Sequence, residues 1–198
     1  MSESPKAEEV SESPSDNDEI KKEAFHKGIL YINEDITNDL LFSFYDPFRR
    51  LVESRKKLAN PTPITVIINS CGGNAYMGIA LSKMLASAPV PVTTAVIGFA
   101  ASAAAMIFLG GHRRIVSPGS RVMVHDASTI TYAATAEHAK RLTAHHDDLD
   151  HECVDWIVNR THMDKSRVES ESSKDHWYFN SSQAFQCGFS NSDGPIFG

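Results

Sequence analysis

Ile64-Thr-Val-Ile-Ile-Asn-Ser-Cys-Gly-Gly-Asn-Ala-Tyr76 is the stretch that decides the fold. It opens on a β-branched and apolar run without polar alternation, the pattern of a strand covered on both faces. Asn69-Ser-Cys-Gly-Gly73 then interrupts the run with turn-forming residues, and residues 74–87 read as a helix. A buried strand that gives way to a helix through two glycines is one half of a βαβ unit.

The same alternation extends in both directions. Upstream, Gly28-Ile-Leu-Tyr-Ile-Asn33 reads as a strand, and 37–58 as a helical block with a basic end at Arg55, Lys56 and Lys57. Pro47 predicts a break or kink inside that block. Downstream, Pro91 to Ile97 is a strand, Gly98-Phe-Ala-Ala-Ser102 a turn, and the Ala- and Met-rich run to Leu109 a helix. Arg114–Ser117 and Arg121–His125 predict short strands around the turn at Pro118-Gly119. A long helix is expected from about 133 to 160, with Leu142, Leu149, Cys153 and Trp156 on one face. The expectation is an α/β domain with mostly parallel strands, and no repeat of fixed period is visible.

The net charge of −6 sits unevenly along the 198 residues. Residues 1–23 hold eight acidic side chains against three basic ones, while the remainder holds 17 against 16. A near-neutral body has no field to drive counterion release from nucleic acid, so a nucleic-acid partner is not expected. Residues 1–19 contain no aromatic side chain, and 1–23 read as a disordered acidic arm ahead of a globular domain at 24–198. The longest apolar stretch, Ala95 to Leu109, is shorter than the roughly 20 residues of a membrane span, so no membrane association is expected. The acidic start does not resemble a secretory signal. Cys71, Cys153 and Cys187 are odd in number and widely spaced, which suits a reducing compartment and predicts a cytoplasmic protein.

Three strand ends carry residues suited to chemistry. Gly72 and Gly73 permit positive φ and a close approach of ligand to backbone, so their amides suit an oxyanion. Ser102 stands where a strand turns into a helix among alanines too small to shield it, and the Ala103 amide can face the same oxyanion. The surroundings are not the GxSxG elbow of α/β-hydrolases. His125 closes the apolar strand Arg121-Val-Met-Val and is the candidate base. An orienting acceptor is needed behind it: Asp126 is adjacent but alternates to the opposite side of the strand, and Asp175 is the other candidate.

Taken together, these blocks resemble the proteolytic subunit of the Clp protease, ClpP, and its phage relatives. The resemblance covers about Gly28 to Phe189 and is carried by Ile-Asn-Ser-x-Gly-Gly at 68–73, Gly-x-Ala-Ala-Ser at 98–102 and Ser-Arg-Val-Met-x-His at 120–125. Asp175, Trp177, Ala184 and Gly188 supply a fourth block. It implies a crotonase-like spiral of β-α units in which the helix at 133–160 is a protruding handle. It further implies a serine endopeptidase with Ser102 as nucleophile, His125 as base and acid, Asp175 orienting the imidazole, and amides of Gly72, Gly73 and Ala103 as oxyanion hole. Peptides or unfolded proteins would be the substrates, held as an added strand. The chains would form heptameric rings, two of them stacked, with a possible AAA+ unfoldase as partner.

Several residues depart from that pattern. Cys71 replaces a proline, and Ile64 and Val66 stand where the family often places aromatic residues of the unfoldase docking pocket. The acidic tail replaces the gate-forming segment, and Ser128-Thr-Ile-Thr-Tyr132 a glycine-rich one. A capsid- or scaffold-maturation protease acting without an ATPase and an inactive ring-forming subunit are therefore the alternatives. His145, Asp148 and Glu152 share a helix face but read as solvated charge, so no metal is expected. No GxxxxGK loop is present, and no cofactor is expected.

Overall fold

Residues 64–70 do form a strand buried on both faces. In the computed structural model, which describes residues 16–126 and 135–197, β2 (Ile64–Ser70) is the second strand of a six-stranded sheet. Its neighbours are β1 (Ile29–Ile32) and β3 (Val92–Ala101), both parallel to it. Ile64, Val66 and Ile68 are fully buried in the main core, while Ile67 joins Ala95 and Ile115 in a smaller cluster. Ile64 and Val66, the positions that depart from the aromatic pattern, are thus both core residues.

β3 is longer than its sequence suggests and serves two partners. Its first half pairs with β4 (Arg113–Val116) and its second half with β5 (Arg121–Val124), parallel in both cases. The switch needs a bend, and the register slips between Ile68 and Ser70 to provide it. Gly98, at φ +93°, sits in the bend, where a Cβ would lie 2.6 Å from Asn69 Oδ1. Asn69 Oδ1 accepts from the Phe99 amide (3.2 Å), and Ser120 Oγ accepts from the Gly98 amide (2.9 Å). The polar residues of the three motifs thus cross-brace the strands that carry the site.

Helices α3 (Ala75–Ala86) and α4 (Ala103–Leu109) pack closely on the sheet, and a Cβ on Gly78 would approach the Ala103 Cβ to 2.8 Å. Ser82, fully buried on α3, donates to the Met106 carbonyl and accepts from Trp156 Nε1 at 2.8 Å. Trp156 belongs to α5 (Ala136–Arg160), capped by the Thr135 hydroxyl. Three helices therefore meet at one hydroxyl. The sheet ends in β6 (Trp177–Asn180), antiparallel to β5, and between α5 and β6 lies α6 (Lys165–Ser172). α7 (Ser181–Cys187) closes the chain with a capping box at Asn180 and Gln183.

Arg114 ties the C-terminal part together. Its buried guanidinium donates to the carbonyls of Phe189 (2.8 Å), Gly111 (3.1 Å), Arg160 (2.9 Å) and Gly188 (3.0 Å). Burial, with the nearby Arg160 charge, lowers its pKa to about 10.

Two expectations change. Residues 16–23 of the acidic arm are not irregular: they begin α1 (Asp16–Lys27), which ends with Ala24 buried and Phe25 against the core. Residues 1–15 of the arm and the segment Ser128–Tyr132 lie outside the described residues. Pro47 does not break its helix. It falls in the first turn of α2 (Asp46–Arg55), where its missing N–H costs nothing, and a π-helical turn at Leu41–Tyr45 precedes it. Repeated β-α units on a largely parallel sheet, with β6 the antiparallel exception, match the expected fold class.

Candidate active site

β2, β3 and β5 run parallel, so their carboxyl ends meet along one edge, where α/β sheets place their ligands. Each strand delivers one piece of the site. β2 ends in the Gly72–Gly73 turn, β3 in Ser102, and β5 in His125.

Ser102 has φ 54° and ψ −122°, the only positive φ at a non-glycine residue among those described. Such a conformation costs of order 1–3 kcal/mol and persists only where its surroundings enforce it. Two bonds do so. The Ser102 amide donates to the Met123 carbonyl (2.8 Å), and its carbonyl accepts the first helical bond from Met106 (3.2 Å). The side chain makes no capping bond to its own helix. A structural N-cap would spend its hydroxyl on that helix; this serine leaves its oxygen available to the cavity.

The glycine turn is pressed against the same spot. A Cβ on Gly72 would lie 2.5 Å from the Ala101 carbonyl oxygen and 2.9 Å from the Ser102 Cβ, so only glycine fits at this φ of +96°. The Gly72 amide is already engaged by Ser70 Oγ (3.1 Å). Ile36 bridges the turn by donating to the Gly72 carbonyl (2.8 Å) and accepting from the Asn74 amide (2.7 Å). That bridge passes over the Gly73 N–H without using it. Ala103, first residue of α4, likewise has no carbonyl one turn earlier to receive its amide.

Ser102 and His125 line one cavity of about 30 Å³, room for a single water, together with Met106, Cys153, Val154 and Ile157. No hydrogen bond joins the two among the described residues. Asp126 lies beside His125, but its carboxylate accepts from Ser172 Oγ at 2.6 Å. Cys153 is the other nucleophile in the cavity wall. Burial, then the charges of Asp150 and Glu152, push its thiol up to about 11, so it is protonated at neutral pH.

Asp175 does not line this cavity. Its exposed carboxylate contacts His176, accepting from the backbone amide (2.7 Å) and meeting Nδ1 (2.7 Å). These bonds lower its pKa, the amide contributing most, so the group is a carboxylate at neutral pH. The His176 ring centre lies 5.2 Å from that of His125. His176 and the strand that follows it escaped the sequence reading. The usable signal was the alternation of His176 and Tyr178 with Trp177 and Phe179, which marks a short strand.

Among the described residues, no cluster of three or more His, Cys, Asp or Glu side chains is arranged to hold a metal ion, and no helix is long and apolar enough to cross a membrane.

Comparison with known proteins places this geometry in context. A family model described as Clp protease matches residues 11–192. An "ATP-dependent Clp protease proteolytic subunit 1" of Chlamydia pneumoniae is 30% identical over 168 residues, covering 81% of this chain and 83% of its own. Its counterpart in Chlamydia trachomatis is 32% identical over 129 residues, 61% of this chain and 65% of the relative. That of Corynebacterium jeikeium is 25% identical over 190 residues, 90% and 93% of the two chains.

Proposed function

The chain belongs to the Clp protease family, and from that premise we propose that it is a serine endopeptidase in which Ser102 is the nucleophile and His125 the general base and acid. The observation that carries the proposal is the strained Ser102, bonded through its amide to the strand that ends in His125 and sharing a cavity with that imidazole.

The reaction follows from the groups present. His125 takes the Ser102 proton as Oγ attacks the scissile carbonyl. The oxyanion forms against the amides of Gly73 and Ala103, while Gly72, whose own amide is engaged by Ser70, lets the turn approach. His125 then gives the proton to the leaving nitrogen, the C–N bond breaks, and an acyl-serine remains. Water, deprotonated by the same imidazole, attacks the ester and frees the acid. Asp175, whose exposed carboxylate bonds to His176, is the acid proposed for the set. Met106, Val154 and Ile157 make the wall beside Ser102 apolar.

The proposal extends to peptides or unfolded proteins as substrates, to rings of this chain in which α5 is the projecting handle, to an AAA+ unfoldase as feeder, and to the cytoplasm as location. Support for self-association comes from Leu41, Phe42 and Tyr45, large apolar side chains exposed at 45%, 82% and 39% on the π-helical turn. Support for the location comes from three unpaired cysteines. Ser102→Ala abolishes hydrolysis of a fluorogenic apolar peptide and leaves the mass of the assembly unchanged. Residual turnover at the wild-type rate would remove Ser102 from the chemistry. Stimulation by an added AAA+ unfoldase, read on a folded substrate, separates a fed protease from a maturation protease that acts alone.

A further inference from the structure

β5 and β6 pair antiparallel with Val124 opposite Trp177, Met123 opposite Tyr178 and Val122 opposite Phe179. One step further along this register, His125 stands opposite His176. Opposed residues of an antiparallel pair project to the same side of the sheet. Their rings are accordingly 5.2 Å apart between centres and tilted by 46°. That separation lets a nitrogen of each ring meet at hydrogen-bond distance once their edges turn toward one another.

We infer that His176 is the positioning residue of this site, accepting the Nδ1–H of His125 and itself held by Asp175, so that the acid acts on the base through a second imidazole. The inference rests on the serine-peptidase reading above and deepens it.

The proton positions follow from the partners. A carboxylate only accepts, so His176 Nδ1, 2.7 Å from Asp175 Oδ1, carries the hydrogen. In the Nδ1–H tautomer Nε2 presents a lone pair, which is what the Nδ1–H of His125 requires if its Nε2 is to receive the serine proton. Two other acids line the cavity with His125: Asp126, bonded to Ser172, and Asp150 on α5. His176 is also steadied from behind. Its ring lies 6.2 Å from that of Tyr178, which stacks on Phe99 at 6.4 Å. When His125 becomes an imidazolium, His176 accepts a charge-assisted hydrogen bond, strengthened by the Asp175 carboxylate at its far end.

The test compares His176→Phe, which keeps an aromatic ring and the cross-strand packing but removes the acceptor, with His176→Asp, which sets a carboxylate opposite His125. On a fluorogenic peptide, His176→Phe lowers kcat by roughly 10²–10⁴-fold with KM unchanged, and His176→Asp recovers most of that loss. Asp175→Asn lowers kcat in the wild-type background and has no further effect in His176→Phe, because its influence passes through the missing ring. Wild-type kcat in His176→Phe, or a failure of His176→Asp to rescue, overturns the inference. Ser102→Ala run alongside keeps the two readings apart. Loss of turnover there with full kcat in His176→Phe sinks the positioning role alone, whereas full turnover in Ser102→Ala sinks both.

Discussion

The amide of Ser102 donates to the carbonyl of Met123 at 2.8 Å. Met123 is two residues before His125, so this bond fixes the strained serine to the strand that supplies the candidate base. The proposed nucleophile and base are thereby set by backbone rather than by long side chains. A site of that kind is held by the fold before any substrate arrives.

Strain at Ser102 predicts a stability difference between two variants that both lack the hydroxyl. Glycine adopts φ 54°, ψ −122° without a Cβ penalty, whereas alanine does not. Ser102→Gly should be more stable than Ser102→Ala by about 1 kcal/mol, read by denaturant unfolding. Equal stabilities would mean that the backbone carries no strain there.

Gly72 and Gly119 separate conformational strain from close approach. Both have positive φ, +96° and +86°, but a Cβ on Gly119 meets nothing within 4 Å, while one on Gly72 collides with Ala101 and Ser102. Gly119→Ala should cost about 1 kcal/mol and leave hydrolysis unchanged. Gly72→Ala should slow acylation of Ser102 by at least roughly 10²-fold, the scale of a lost oxyanion donor. Similar rates in the two variants would contradict the placement of the glycine turn at the reacting carbonyl.

Arg114 is a stability centre whose hydrogen-bonding shell, among the described residues, is made of carbonyls. Removing its guanidinium leaves the carbonyls of Gly111, Arg160, Gly188 and Phe189 without that donor. Arg114→Met should cost about 2–5 kcal/mol in denaturant unfolding. The pH dependence has a definite sign. Burial depresses the folded-state pKa to about 10, so the folded protein releases this proton before the unfolded chain does. The group's contribution to stability therefore rises with pH only above about 10, and the deficit of the variant should be equal at pH 6 and pH 9. A deficit that changes over that interval would place another titrating group at the junction.

Thiol chemistry distinguishes the cavity cysteine from the exposed one. With its thiol pushed up to about 11, Cys153 is about one part in a thousand thiolate at pH 8. Cys71 is exposed at the turn. Iodoacetamide at pH 8 should modify Cys71 first and reach Cys153 only on unfolding, as read by peptide mass mapping. Rapid alkylation of Cys153 in the folded protein would reopen a cysteine nucleophile.

Much of this arrangement was legible in the sequence because it depends on local rules. The uninterrupted run at 64–68 announced a strand covered on both faces, and Gly72, Gly73 and Ser102 announced tight strand-to-helix turns. What escaped depended on pairing. β3 reads as ending at Ile97 because Gly98 looks like a stop, yet the strand bends there and continues, braced by Asn69 and Ser120. Only the register of β6 against β5 reveals which side chain faces His125. Reading along the chain offers Asp126 and Asp175 and the resemblance points to Asp175, but the neighbouring His176 is the residue across the ladder. Residues 16–23 were misjudged because charge dominates their composition, whereas Ala24 and Phe25 anchor the end of their helix.

The central claim is that the Ser102 oxygen is a nucleophile activated by His125, and covalent labelling tests it most directly. The full chain treated with a fluorophosphonate, digested and mapped by mass should carry one adduct, on Ser102, and His125→Ala should lose it while retaining the same assembly mass. An adduct on another residue, or undiminished labelling of Ser102 in His125→Ala, would contradict the account.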